Sequence, residues 1–203
     1  RYAHQGGQNP PLIVIHGSAL GLASAPAYAR EGDEINARAG AAVSTAGDVN
    51  SDSFSDILVG MPGSSPGGHP DAGVAYVFKG SAAGIVATPF VTVAGVVDSM
   101  EAGGGVSLAG DMNADGYADI MIGYPGDQSV GIHRGAVAFF KGQSSGIDPT
   151  PILQLSGRGD YSRVGTAIAT GGDLDGDGYA DVLVGNPLEP RACSVAYDAA
   201  NGR

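Results

Sequence analysis

The chain has 203 residues, 43% of them hydrophobic, a net charge of −11 and one cysteine, Cys193. That length gives one or two domains with a real core, and a lone cysteine excludes an intrachain disulfide. The ten Lys and Arg are scattered without a basic stripe for nucleic acid, and no apolar run is long enough to span a bilayer.

In chain order, residues 1–38 come first. LIVIHGSALG from Leu12 aligns with AYVFKGSAAG from Ala75 at an offset of 63, and FFKGQSSG from Phe139 lies 62 further on. A small-residue run at 41–46 then predicts a strand, followed by an acidic loop from Asp48 and a second strand, DILVG, from Asp56. That strand is stopped by Gly60-Met61-Pro62, since proline is excluded from a central strand. Third and fourth strands are predicted at 74–78 and 90–93. The order then repeats: a strand at 106–109, a loop from Asp111, DIMIG from Asp119, Gly123-Tyr124-Pro125, and strands at 136–140 and 152–155. It begins a third time with 166–170, a loop from Asp173, DVLVG from Asp181, Gly185-Asn186-Pro187 and a strand at 194–197. No helix is predicted: the best window, 23–38, holds Pro26 and Gly32 and lacks a 3.6-residue period.

Four short strands per roughly 62 residues form a meander, and stacked meanders are the blades of a propeller. The expected fold is therefore all-β, a β-propeller segment of two complete blades and two partial ones. Residues 1–38 supply strands three and four of a preceding blade, 39–101 and 102–163 are complete, and 164–203 begin another. A small ring, with the N-terminal strands completing the last blade, is the alternative. The start at Arg-Tyr-Ala without Met is what a processed chain or a fragment would show.

The acidity is concentrated. Of 21 acidic residues 17 are Asp, and ten of those lie in the three loops. Three bound divalent cations would leave a net charge of about −5, an ordinary solvated surface. Counted from its first Asp, loop one offers Asp48, Asn50, Asp52, the Phe54 carbonyl and Asp56. Loop two offers Asp111, Asn113, Asp115, the Tyr117 carbonyl and Asp119, and loop three offers Asp173, Asp175, Asp177, the Tyr179 carbonyl and Asp181. Alternate positions of a tight loop turn their oxygens toward one point, a donor set for a hard cation. Ca²⁺ accepts six to eight oxygens in irregular geometry and suits such a loop better than Mg²⁺. Up to three Ca²⁺ are expected, one per loop. Position six should be Gly for the bend; it is Gly116 and Gly178, but Ser53 in loop one, which is expected to be the weakest site.

An EF-hand opens in the same way but needs a Glu at position twelve and a helix after it. Position twelve here is Val59, Ile122 or Val184, inside a strand-like run. The loop belongs to a β-hairpin, and the Asp at position nine takes the place of that Glu as the bidentate ligand.

Taken together, the acidic loop, the strand, the Gly-x-Pro stop and the later Phe-Lys-Gly resemble the FG-GAP repeat of integrin α-subunit propellers and their bacterial relatives. The resemblance covers nearly the whole chain. It departs where the Phe-Gly of that family stands as Ala39-Gly40, Ala102-Gly103 and Val164-Gly165. The resemblance implies an extracellular or cell-surface propeller of seven blades, with structural calcium on one rim. It further implies a protein or glycan ligand on the opposite face, formed here by residues 63–72, 96–102, 126–134 and 157–163. The function so implied is a non-catalytic scaffold for adhesion or protein–protein interaction, with no membrane insertion in this chain. An accessory propeller of a secreted hydrolase such as a phospholipase, and a carbohydrate-binding propeller, are the alternatives. The Ala- and Gly-rich, Lys-poor composition points to a bacterial source.

Other motifs carry less. Arg158-Gly159-Asp160 spells an adhesion tripeptide, but Asp160 shares its repeat position with Asp98 and such a triplet arises readily in this composition. Gly-x-Ser-x-Gly occurs around Ser65 and Ser144; neither has the strand-turn-helix of a nucleophile elbow, and no His follows Ser144. His4, His16, His69 and His133 share no repeat position, and Cys193 reads as a small hydrophobe in a strand.

Overall fold

The computed structural model describes residues 12–32, 34–188 and the backbone of 195–197; Cys193 and His4 lie outside them. The first strands are β1 (Leu12–Val14), β2 (Gly17–Ser18), β3 (Gly21–Leu22) and β4 (Tyr28–Arg30). Here β1 pairs antiparallel with β4, and β2 with β3 forms a small hairpin between them. Next, β5 (Ala42–Gly47), β6 (Asp56–Met61), β7 (Val74–Phe78) and β8 (Val91–Ala94) form a four-stranded antiparallel sheet in sequential order. The following sheet is β9 (Gly105–Gly110), β10 (Asp119–Tyr124), β11 (Ala136–Phe140) and β14 (Leu153–Ser156). A short hairpin of β12 (Gly142–Gln143) and β13 (Gly146–Ile147) lies between its last two strands. The last sheet comprises β15 (Ile168–Gly172), β16 (Asp181–Val184) and β17 (Val195–Tyr197). The chain is all-β, two full meanders flanked by two partial sheets. Among the described residues the one helical element is a single 3-10 turn at Pro66–Gly68, and no helix is long and apolar enough to cross a membrane.

The sheets stack face to face, and the two-residue period of a strand decides which side chain serves which neighbour. On β10, Ile120 and Ile122 join Leu58, Val77 and Val93 of the sheet before, while Met121 joins Val182 and Val184 of the sheet after. On β11, Ala138 and Phe140 face one way, Val137 and Phe139 the other. A third cluster packs Val59, Met61 and Phe78 against Leu12 and Tyr28. Because both faces are covered, β10 is buried along its whole length, whereas β14 alternates half-buried with exposed. That is why the second strands read as unbroken apolar runs.

Small residues set the spacing between sheets. Gly123, in β10, lies so near the following unit that a Cβ there would stand 2.0 Å from the Gly165 carbonyl oxygen; Gly60 meets Gly103 in the same way. Ala39, Ala102 and Val164, standing where the resemblance has Phe, are all buried and each joins one of the three inter-sheet clusters. The residues just before them form a charge ladder. Arg38, Glu101 and Arg163 occupy one repeat position, all at left-handed φ (57°, 56° and 53°). The Glu101 carboxylate pairs with the Arg163 guanidinium on one side and with Arg38 at 3.8 Å on the other. One acid thus ties three consecutive units.

Replacing Gly123 by Ala forces β10 and the Gly165 turn apart, and stability should fall by about 3 kcal/mol, read from the urea midpoint of unfolding.

Candidate cation loops and the opposite face

Each acidic loop leaves its first strand through the same irregularity. The pairing register shifts just before Gly47, Gly110 and Gly172, and these glycines take left-handed φ of 71°, 82° and 69°. A bulge followed by a left-handed glycine bends the hairpin and frees the loop from the ladder. This accounts for the Gly-Asp opening of all three repeats.

Inside the loop, side chains and backbone form one hydrogen-bond pattern. The first aspartate accepts from the N–H groups of positions five and six: Asp48 from Asp52 and Ser53 (3.0 and 2.8 Å), Asp111 from Asp115 and Gly116 (3.1 and 2.9 Å). Asp173 accepts from Asp177 and Gly178 at 3.1 and 3.0 Å. Position three accepts from position five, through Asn50, Asn113 and Asp175. Position five accepts from position seven, so Asp52, Asp115 and Asp177 hold the N–H groups of Phe54, Tyr117 and Tyr179. Oxygens of positions one, three and five are thereby drawn together. In loop three, Asp173, Asp175 and Asp177 bring one ligand atom each within 4.8 Å of one another. A set made only of oxygens, most of them carboxylate, suits a hard divalent cation.

The ninth residue differs from the other three. Asp56 and Asp119 are wholly buried. Asp56 accepts from Val49 N–H at 3.1 Å on one oxygen and from Gly80 N–H at 2.9 Å on the other. Asp119 accepts from Met112 and Gly142, both at 2.9 Å, and Asp181 accepts from Leu174 at 2.6 Å. Burial pushes the Asp56 and Asp119 carboxyls above the ordinary range, while the paired backbone N–H groups pull the other way. The sequence motif assigned this Asp to a cation. In the structure its first bonds are to backbone, and each oxygen keeps a second lone pair for a metal.

The lysines of the two Phe-Lys-Gly elements, which the sequence did not assign to the cation sites, stand beside the loops. Lys79 Nζ lies 3.1 Å from Asp52 Oδ2, and Lys141 Nζ lies 2.8 Å from Asp115 Oδ2. They are the only lysines in the chain, 62 residues apart, and the offset alone could have found them. Asp115 is held below the ordinary carboxylate range chiefly by Lys141; Asp52 is lowered first by the Phe54 N–H, with Lys79 adding to it.

At the other end of the sheets, the connections 63–72 and 126–134 meet 96–102 and 157–163. His69 Nδ1 pairs with Asp98 at 2.9 Å, and Arg134 Nε donates to Asp160 at 2.8 Å. The Arg158-Gly159-Asp160 triplet therefore has its carboxylate engaged by Arg134. Ser144 is exposed in the β12–β13 hairpin, with no helix after it. Ser65 precedes only the 3-10 turn, its N–H bonded to Glu34.

The FG-GAP repeat pattern matches residues 39–78, 102–139 and 164–203. The chain belongs to the FG-GAP repeat family. It is 34% identical over 167 residues to integrin alpha-5 of Xenopus laevis, covering 78% of this chain and 15% of that protein. It is 32% identical over 158 residues to phosphatidylinositol-glycan-specific phospholipase D of Mus musculus, covering 73% and 18%. Human integrin alpha-6 is 34% identical over 139 residues, covering 68% and 12%. The chain thus spans less than a fifth of the length of these relatives.

Two outcomes test the loop chemistry. Asp119→Asn should cost about 1–3 kcal/mol with or without calcium, because one end of the amide turns an N–H toward a backbone N–H; thermal unfolding in chelator measures it. Ser53, at φ 72° where the other loops have glycine, is strained. Ser53→Gly should add about 0.5–1 kcal/mol, visible in the same melt.

Proposed function

We propose that this chain is a calcium-stabilised, non-catalytic segment of an extracellular FG-GAP propeller that serves cell adhesion or protein–protein interaction. The observation that carries the reading is the threefold recurrence of one oxygen-lined loop, held open by its own backbone at the same end of successive sheets. Positions one, three, five and nine and the carbonyl of position seven would hold the ion: Asp48, Asn50, Asp52, Asp56 and Phe54 in loop one. Asp111, Asn113, Asp115, Asp119 and Tyr117 would do so in loop two, and Asp173, Asp175, Asp177, Asp181 and Tyr179 in loop three. The bound ion supplies charge neutralisation, not reactivity. The loop residues converge like charges on a hairpin tip that buries little of itself, and a cation offsets that repulsion.

The integrin relatives support an adhesive role with a protein or glycan ligand on the face opposite the loops, where His69, Asp98, Arg134 and Asp160 lie. The phospholipase D relative supports a second reading, an accessory propeller within a secreted hydrolase. Carbohydrate binding on that face has less support, since Tyr161, 57% exposed, is the large aromatic its connections present. Relatives of both kinds favour a secreted or cell-surface setting.

The test is calorimetric counting of calcium together with thermal unfolding in calcium and in chelator. Two or three ions per chain are expected, with each occupied site adding about 2.7 kcal/mol at a hundredfold excess over its Kd. A chain that binds no calcium and melts identically in both conditions would overturn the reading.

A further inference from the structure

We propose that Lys79 and Lys141 are built-in counter-ions of the first two loops, which compete with the divalent cation for the fifth-position carboxylate and so set those loops to weaker binding. The proposal rests on the reading of the loops as cation sites and concerns how that binding is tuned. Its basis is geometric. One oxygen of Asp52 and of Asp115 is committed to the N–H of position seven. The other oxygen, which no backbone N–H holds, is the one each ammonium approaches, at 3.1 and 2.8 Å, and on Asp52 it also accepts from the Asn50 side-chain amide at 3.1 Å. An ammonium is a compact point charge on a flexible stem, able to stand where a cation's charge is needed and to withdraw. Lys79 also lies 4.7 Å from the centre of the Phe90 ring, whose face attracts a cation and offers the side chain a seat beside the loop.

The placement is built into the repeat. Lys79 and Lys141 each precede the glycine, Gly80 or Gly142, whose N–H bonds to the buried ninth aspartate of the same loop. A Cβ on either glycine would come within 2.3 Å of a loop carbonyl, Ser55 or Ala118, so the third strand ends tight against the hairpin. One Lys-Gly dipeptide therefore delivers a backbone donor to position nine and a side-chain cation to position five. Without a divalent ion the lysine relieves the repulsion among the carboxylates; with one, the two positive charges oppose each other across the same carboxylate.

These two effects have opposite signs, which the double variant Lys79→Met with Lys141→Met separates. In chelator it should melt about 2–4 °C below the unaltered chain, because the carboxylates lose the positive charge beside them. In excess calcium it should melt at or above the unaltered chain, and titration calorimetry should show two sites tightened about tenfold with the remaining site unchanged. Each single variant should tighten one site. Parallel lowering of both melts with unchanged calcium affinities would overturn the proposal and leave the cation reading intact, the lysines then being ordinary surface ion pairs. Absence of calcium binding in both the unaltered chain and the variant would overturn the cation reading and the proposal with it.

Discussion

A buried carboxylate at the first residue of each second strand holds the repeat together. Asp56 joins three separate pieces of chain: its own strand, position two of the loop through Val49 N–H, and the end of the third strand through Gly80 N–H. Asp119 does the same with Met112 and Gly142. Each such bond to a charged acceptor is stronger than a neutral one, and the group it satisfies is shut off from water. The loop therefore starts from a fixed base. On that base, the N–H groups of positions five to seven orient the oxygens of positions one, three and five.

The second constraint is how closely the sheets approach. Face-to-face packing requires the second and third strands to present large side chains on both sides, as Phe139 and Phe140 do. It also requires backbone-to-backbone contact where the strands turn, which only glycine permits at Gly60 and Gly123. Ala102 and Val164 at the neighbouring position fill the remaining space without a ring. The Arg38–Glu101–Arg163 ladder lies at the same end of the strands, where Glu101 is shared by the units before and after it. Apolar contact, glycine contact and charge sharing thus act on the same interface at successive heights.

Much of this was readable from the sequence because it recurs at fixed offset. The strands, their Gly-x-Pro stops and the loops follow from repeated spelling, whereas the bulge before each loop shows only in the strand register. What recurrence cannot supply is contact between positions far apart in the chain. Lys79 is 27 residues from Asp52, and only the return of the third strand beside the hairpin brings them together. The ladder is not written as recurrence for a different reason: its members differ in type, with Arg, Glu and Arg at one repeat position. The ninth aspartate was legible as a residue but not in its first role, since a spacing that fits a metal ligand also fits a backbone anchor.

The loops are also joined to each other, and this makes their order matter. The carbonyl of Asp48 accepts from Ala118 N–H at 3.1 Å, that of Val49 from Gln143 N–H at 3.1 Å, and Ser51 Oγ donates to the Gly116 carbonyl at 2.8 Å. The carbonyl of Asp111 accepts from Ala180 N–H at 3.4 Å. Loops one and two are thus each braced at the first residue by position eight of the loop that follows. Burial follows the same direction: at position two, Val49 is 0% and Met112 9% exposed, each covered by the unit that follows, whereas Leu174 in loop three is 61% exposed. Covering such a side chain is worth about 1.5–3 kcal/mol. The N–H that braces a loop belongs to the repeat after it, so the placement of a loop depends on its successor and not on its predecessor.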